Sequence, residues 1–364
     1  MNQADHDVAD GDRLALVDLL DRAFDDAVVR VGEVVRTVRI ANEVIAIRFA
    51  GGALVPALMR ALGPVVVAPE IPPTATIDVW DTVSTGRPLP LLVRDLLRAH
   101  DAAWLGDRGP RGELQQYSVG SVRAAYYGPG LLSTFNRSKR RGTFWINDHG
   151  ALPWYEPGSP FRVLFDWILG GPTRHLVHAG AIHSSSGGVL LGGAGGSGKS
   201  TTALACLGAP DLRYVSDDYV TIGLEPEPVA WNMYATAKVK SPADLGRFPR
   251  LRDHFTALDI DGEAEHPVLF VHEHLRSSLA GSTPLRALVF PRYLALDECT
   301  IDAVQPDIAF KLLAPSTIQQ VPTDTAAAMQ FMRSLTTRVP AFRLGLPRDV
   351  ELIPAAIHRI IANA

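Results

Sequence analysis

The sequence predicts a protein of the α/β class with two domains. Its 364 residues are too many for one ordinary domain and suffice for two. Apolar residues recur at helical spacing in some segments and alternate with polar residues in others, so helices and strands mix along the chain. A glycine-rich segment, Gly193 to Thr201, lies between an apolar strand and a helix-forming run. This order indicates a phosphate-binding loop in the second domain, which follows a smaller α+β domain.

Composition excludes several classes of protein. A net charge of -4 without a basic stripe argues against a nucleic-acid partner. Cys206 and Cys299 are the only cysteines, which excludes a disulfide framework and a four-cysteine zinc site. The acidic start is opposite in charge to a secretory signal, and no apolar run reaches membrane-spanning length without a charge or a proline. We therefore expect a cytoplasmic protein without membrane contact, and homo-oligomerisation stays open.

The first domain, residues 1–155, combines helical periodicity with short alternating strands. Helices are predicted at residues 14–29, 53–62 and 91–100, and strands at 34–40, 44–49, 76–80, 115–119, 123–127 and 142–146. The strands at 34–40 and 44–49 are expected to form a hairpin on a core. The basic run Arg137 to Arg141 separates two strands, and a solvated turn is favoured over a phosphate patch.

The second domain, residues 156–364, begins after a compact linker that contains Pro157 and Pro160. Helices are predicted at residues 161–169, 202–207, 308–313, 326–335 and 350–361, and strands at 176–182, 189–192, 213–222, 234–240, 285–290 and 341–346. A turn at 184–188 joins the strands at 176–182 and 189–192 into a hairpin, and the second of these strands leads into the phosphate-binding loop. His272 and His274, with His266 nearby, can share a strand face, but a zinc site is not favoured because no third ligand is marked by spacing.

The glycine-rich segment fits the pattern G-x-x-x-x-G-K-[ST] from Gly193 to Ser200. Its glycines let the backbone adopt positive φ, so that successive N–H groups point inward at the positive end of a helix. Lys199 is expected to reach the β- and γ-phosphates of ATP, and the Ser200 hydroxyl to bind the Mg²⁺ that bridges them. The predicted nucleotide-binding residues are Gly193, Ala194, Gly195, Gly196, Ser197, Gly198, Lys199, Ser200 and Thr201.

Two carboxylates, Asp217 and Asp218, lie in the predicted strand 213–222. Neighbouring side chains on an ideal strand point to opposite faces, so both cannot enter one site from such a strand. One is expected to bind magnesium and the other to take a proton from the attacking hydroxyl, but their division of labour stays open. Lys238 and Lys240 share a face of the next predicted strand. Either can touch a phosphate, although solvated lysines are the commoner outcome.

Residues 175–222 resemble the catalytic domain of bacterial HPr kinase/phosphorylase, a serine kinase whose fold is related to phosphoenolpyruvate carboxykinase. In that family a histidine on the first hairpin strand precedes the loop lysine at the separation of His178 and Lys199, and paired aspartates close the next strand. The resemblance implies that Asp217 is the general base and Asp218 a carboxylate on the magnesium side. It also places His178 near the transferred phosphoryl group.

The chain departs from the family at Thr201, where the family usually carries glutamate, and it has no downstream Gly-Arg-Asn signature. It therefore looks like the HPr-kinase-related proteins that accompany peptide natural-product clusters, some of which phosphorylate a precursor peptide. The resemblance implies ATP- and Mg²⁺-dependent phosphorylation of serine or threonine in a peptide or small protein. The first domain is then expected to present the acceptor, with residues 113–146 as the candidate groove. A kinase for sugar or amino-acid hydroxyls and a non-catalytic nucleotide-binding regulator are the alternatives.

Overall fold

A computed structural model of the protein describes residues 3–102, 112–114, 118, 120–127, 130–258, 266–320 and 324–364, with the backbone alone for 3–14, 96, 98–102, 257, 258 and 266. The chain forms two compact units. Unit 1 comprises Met1–Arg60 and Val66–Ile168, and unit 2 comprises Ala61–Val65 and Leu169–Ala364. This division lies later in the chain than the predicted boundary at 155/156. The reason is that the Phe161 ring packs on Phe144 of unit 1, with ring centroids 5.0 Å apart.

Unit 1 contains a long amino-terminal helix, a mixed sheet and short connecting helices. Its elements are α1 (Gln3–Val31), β1 (Glu33–Ile40), β2 (Glu43–Ala50), α2 (Val55–Met59), β3 (Val66–Val67), β4 (Ala75–Asp81), α3 (Thr82–Thr85), α4 (Leu91–Ala102), β5 (Val122–Tyr127), β6 (Leu131–Asn136), β7 (Arg141–Ile146) and α5 (Arg162–Leu169). The strand order is β3-β1-β2-β4-β7-β6-β5. The predicted hairpin is present as β1 and β2, which pair antiparallel. Most of the predicted strand 115–119 lies outside the described residues.

Residues 137–140 of the basic run form a turn and Arg141 begins β7, but three of the charges in the run are paired and not simply solvated. Lys139 Nζ lies 2.6 Å from Asp18 Oδ1, and Arg140 Nη2 lies 2.6 Å from Glu43 Oε2. Arg141 Nε lies 2.5 Å from the buried Asp78 Oδ2. The sequence interpretation missed these partners because they lie far away along the chain. The run therefore serves the internal charge balance of unit 1.

Unit 2 is built on a mixed sheet with helices on both faces. Its elements are β8 (Arg174–Val177), β9 (Gly180–Ser184), β10 (Gly187–Leu191), α6 (Lys199–Cys206), β11 (Arg213–Ser216), β12 (Val220–Gly223), β13 (Val229–Trp231), β14 (Thr236–Lys238), β15 (Thr256–Leu258), β16 (His266–Phe270), α7 (Val271–His274), β17 (Ser282–Leu296), β18 (Thr300–Val304), α8 (Pro306–Gln320), α9 (Thr325–Arg338), β19 (Ala341–Pro347) and α10 (Ile353–Asn363). The main sheet has the order β11-β9-β10-β17-β13-β12-β8, with β19 beside β17 and β18 beside β19. A second sheet has the order β14-β16-β15.

Strand alternation explains how unit 2 buries both faces of its main sheet. Val189 and Leu191 of β10 pack in one apolar cluster with residues of α6 and α10. Leu190, between them, packs in the opposite cluster with residues of α8 and α9. Because successive side chains of a strand point to opposite faces, an uninterrupted apolar run fits a sheet covered on both sides. The central strands β10, β17 and β19 run parallel, while β9 and β13 pair antiparallel with their neighbours. The predicted mixed α/β class is thus observed.

Within the described residues, no helix is both long enough and apolar enough to cross a membrane.

Candidate active site

The glycine-rich loop, residues 192–198, joins β10 to α6 and depends on glycine at two points. Gly193 has φ +128° and Gly198 has φ +111°, in the region that favours glycine. A Cβ on Gly193 would lie 2.9 Å from Ser197 Oγ, and a Cβ on Gly198 would collide with the Leu346 side chain. The loop tip at 194–196 is exposed. The backbone at this point is therefore held in a curled form that only glycine adopts without strain.

Lys199 begins α6 and turns its side chain back under the loop. Its ammonium donates to the Gly193 carbonyl oxygen at 2.8 Å and to the Ala194 carbonyl oxygen at 3.3 Å. Burial lowers the pKa of Lys199, and the charges of Asp218 and Asp217 oppose that change. Within the described part of the chain the ammonium forms no ion pair. A buried cation that lacks a carboxylate partner is suited to bind an anion.

The two aspartates lie in a bend between β11 and β12, and not on one continuous strand as the sequence predicted. His178 likewise lies in a break between β8 and β9, where one strand was predicted. The pairing of these strands brings the two breaks together: Val177 of β8 is opposite Val220 of β12, and Ala181 of β9 is opposite Ser216 of β11. Both carboxylates and the histidine can therefore reach one place, which an ideal strand forbids.

Asp217 is almost fully buried, with 2% of its surface exposed. Its Oδ2 accepts a hydrogen bond from the Lys238 backbone N–H at 3.2 Å, while Oδ1 has no hydrogen-bond partner among the described residues. Burial and the adjacent charge of Asp218 raise the pKa of Asp217 to about 6, against the lowering effect of the Ser200 hydroxyl and of Lys238. The group is thus ionised at neutral pH but holds a proton far more readily than an exposed aspartate.

Asp218 has different surroundings, although it is the next residue. Its Oδ1 lies 2.9 Å from His178 Nε2, and its Oδ2 lies 3.3 Å from Lys238 Nζ. Burial acts to raise the pKa of Asp218, but the charge of Lys238 and the contact with His178 hold that pKa below its ordinary value. The His178 ring in turn lies 5.3 Å from the Tyr219 ring, centroid to centroid. Asp218 is therefore a fixed anion over the whole physiological pH range.

The residues fit a nucleotide with Mg²⁺. Two buried polar atoms, Ser197 Oγ in the loop and Asp217 Oδ1 in the bend, have no hydrogen-bond partner among the described residues. The hydroxyl of Ser200 and the carboxylates of Asp217 and Asp218 are the hard oxygen ligands that Mg²⁺ prefers. The described residues contain no group of three or more His, Cys, Asp or Glu side chains that could hold a metal ion. Mg²⁺ needs no such group when one or two carboxylates and the substrate phosphates bind it.

The structure thus assembles His178, Lys199, Ser200, Asp217 and Asp218 in one site, and Thr201 lies half-buried in the first turn of α6. Sequence reasoning missed Lys238, for which a solvated lysine was the favoured outcome. Lys238 instead touches both aspartates, one through its backbone and one through its side chain. The sequence signal was the alternation of Lys238 and Lys240 on the strand that follows the acidic pair.

No protein-family model and no curated protein matches the sequence. Among solved structures, the chain is similar to the Hpr(Ser) kinase/phosphatase from Coxiella burnetii. The two share 12% sequence identity over 52% of this chain and 99% of that chain, with a TM-score of 0.27. At this TM-score the similarity carries no argument about the family, activity or substrate of the protein.

Proposed function

We propose that this protein is an ATP- and Mg²⁺-dependent phosphotransferase with a P-loop domain of the HPr-kinase-related type. It moves the γ-phosphoryl group to a hydroxyl, with serine or threonine of a peptide or small protein as the acceptor. One observation carries the proposal. Lys199, a buried ammonium that has no ion-pair partner among the described residues, contacts the glycine-rich loop and lies near a buried carboxylate, Asp217, whose pKa is raised to about 6. Phosphoryl transfer needs little beyond positioning, charge neutralisation and a base, and these groups supply all three.

In this proposal the loop binds the polyphosphate through its backbone N–H groups and through Lys199. Ser200 and Asp218 would hold the Mg²⁺ ion, which when bound neutralises phosphate charge. Asp218 suits this role because its lowered pKa keeps it anionic, and His178 fixes the orientation of its carboxylate. The role of His178 is therefore to position Asp218, close to the transferred group.

Asp217 is the general base. The acceptor oxygen attacks the γ-phosphorus, the bond from that phosphorus to the bridging oxygen of ADP breaks, and the electron pair leaves with ADP. The proton of the hydroxyl passes to Asp217, whose Oδ1 is free of other hydrogen bonds among the described residues. A base whose pKa lies near the working pH is efficient because it is both ionised and able to hold the proton.

The first test compares phosphate transfer by the wild type and by Lys199→Ala. The assay incubates the protein with Mg-ATP and panels of peptides and of small hydroxyl compounds, and detects added phosphate by mass. We expect transfer to fall by about 10²- to 10³-fold in Lys199→Ala, because the charge on the phosphates is lost. Lys311→Ala is the control, since Lys311 is exposed and its one ion pair among the described residues is with Asp307 at 3.8 Å.

Equal transfer in Lys199→Ala and the wild type would contradict the assignment of the loop. Phosphate gain by small molecules alone would replace the peptide acceptor by a sugar or amino-acid hydroxyl. If the wild type binds Mg-ATP but never releases ADP with any acceptor, the protein is a nucleotide-binding regulator and not a kinase.

A further inference from the structure

The chain segment that carries Lys238 continues past the acidic pair to the glycine-rich loop. Lys238, the last residue of β14, pairs with Val268 of β16. The Val239 N–H donates to the Pro267 carbonyl oxygen at 3.2 Å, so the extended pairing reaches one residue beyond β14. Val239 points into the apolar core. Lys238 and Lys240 therefore share the other side of the segment, because side chains two residues apart point the same way.

Lys240 lies over the exposed tip of the loop. A Cβ built on Gly196 would lie 3.0 Å from Lys240 Nζ, so the ammonium lies close to the loop backbone at that glycine. Gly196 itself has φ +80°. Lys240 is exposed, and within the described residues it has no hydrogen bond and no ion pair. An exposed lysine ordinarily extends into water, whereas this one is directed at the backbone of the loop.

The charges around the loop do not balance. Lys238 is matched by Asp218, which it meets at 3.3 Å. Lys199 donates to carbonyl oxygens, and Lys240 has no partner among the described residues. Two ammonium groups that have no carboxylate partner among the described residues thus lie close to one loop, Lys199 at the carbonyl oxygens of Gly193 and Ala194 and Lys240 near Gly196. An anion with more than one charge, bound by the loop, would satisfy both.

We infer that Lys240 is a second phosphate-binding cation, which contacts the polyphosphate of the nucleotide from the outer side of the loop. The inference rests on the proposed function and adds a ligand-binding residue to it. Lys238 and Lys240 lie on one short segment. The same segment therefore positions the acidic pair through Lys238 and binds the phosphates through Lys240. The chain thereby sets the distance between the phosphate and the base.

The test is calorimetric titration of the full chain with Mg-ATP in four proteins: the wild type, Lys240→Gln, Lys240→Arg and Lys311→Gln. We expect Lys240→Gln to raise the Kd about tenfold, as loss of a charge-assisted hydrogen bond does. Lys240→Arg should stay within about threefold of the wild type, because the charge is kept. Lys311→Gln should bind like the wild type, and all four melting temperatures should agree, because both lysines are exposed.

A Kd in Lys240→Gln equal to that of Lys311→Gln, with a wild type that binds Mg-ATP, would overturn the role of Lys240 and leave the proposed function intact. A wild type that takes up no Mg-ATP would overturn both. A tenfold loss that Lys240→Arg restores supports the inference, because a purely steric role would not be rescued by charge.

Discussion

The glycine-rich loop and the bend at Asp217–Asp218 both end a strand of unit 2, but they create binding groups in different ways. The loop uses its backbone: positive φ at Gly193 and Gly198 shapes it, and in the proposed function its N–H groups bind the phosphates. The bend uses side chains whose properties come from remote partners. Asp217 is buried beneath the Lys238 backbone, whereas Asp218 meets His178 and the Lys238 ammonium.

The difference shows that adjacent residues of one type can be assigned opposite tasks by their surroundings. Asp217 has its pKa raised to about 6, and Asp218 has its pKa lowered. Two carboxylates with pKa values moved apart are the usual arrangement for one base and one fixed anion. The shape of the loop, by contrast, depends on backbone conformation at Gly193 and Gly198. The two regions should therefore respond differently to substitution, the loop to a change in shape and the bend to a change in charge.

The largest effect on stability is expected in the loop. Gly198→Ala places a Cβ against Leu346 at a residue with φ +111°, so both steric overlap and backbone strain arise. We expect the free energy of unfolding to fall by about 3 kcal/mol, measured by urea titration followed by circular dichroism. Gly195→Ala is the matched control, because a Cβ there meets nothing within 4 Å and the residue is not in the positive-φ region. Equal stability of the two variants would show that the loop shape does not need Gly198.

A smaller loss is expected in the bend from Asp218→Asn. This change removes the anion between Lys238 and His178, and we expect the free energy of unfolding at neutral pH to fall by about 2 kcal/mol, since the side chain is only partly exposed. Because the pKa of Asp218 is lowered in the folded state, its stabilising effect is present above the ordinary value of 3.8 and is lost as the pH falls below it. Urea titrations at pH 7 and pH 3 should show the deficit shrinking, and a constant deficit would contradict the charge pairing.

The smallest expected change in the free energy of unfolding is an increase. Asp217→Asn removes a buried charge whose pKa is raised from 3.8 to about 6, and we expect the free energy of unfolding at pH 7 to rise by about 1 to 2 kcal/mol. Because the pKa is raised, the buried charge of Asp217 destabilises the wild type increasingly as the pH rises from about 4 to about 6. The gain over the wild type should therefore vanish near pH 4. A variant less stable than the wild type at pH 7 would show that Asp217 is a structural ion.

Local patterns were enough to predict the hairpin of β1 and β2, the hairpin that leads into the loop, and the helix after Lys199. In each case the signal lies within about ten residues, in alternation, glycine position or helical spacing. The same reasoning did not find the breaks at His178 and Asp217. Both lie inside runs that read as one strand, and only the pairing of β8 with β12 and of β9 with β11 shows where each strand stops.

The lysines show the same limit. Lys238 and Lys240 have the alternation of a strand face, but alternation does not say what lies opposite. Lys238 meets Asp218 and Lys240 lies close to Gly196, and both of these residues come from earlier parts of the chain that only the fold brings near. The basic run at 137–141 shows the same limit, because its charged partners lie far away in the sequence. Sequence patterns thus predicted local elements more reliably than the contacts between side chains that lie far apart in the chain.

The measurement that tests the account most directly is the separation of binding from transfer in Asp217→Asn. Calorimetry should give this variant a Kd for Mg-ATP close to that of the wild type, because the loop and Lys199 are unchanged. Phosphate transfer to the acceptor should fall by about 10²- to 10⁴-fold, because the base is gone. Loss of binding together with transfer would make Asp217 a metal ligand, and transfer at the wild-type rate would contradict its role as the base.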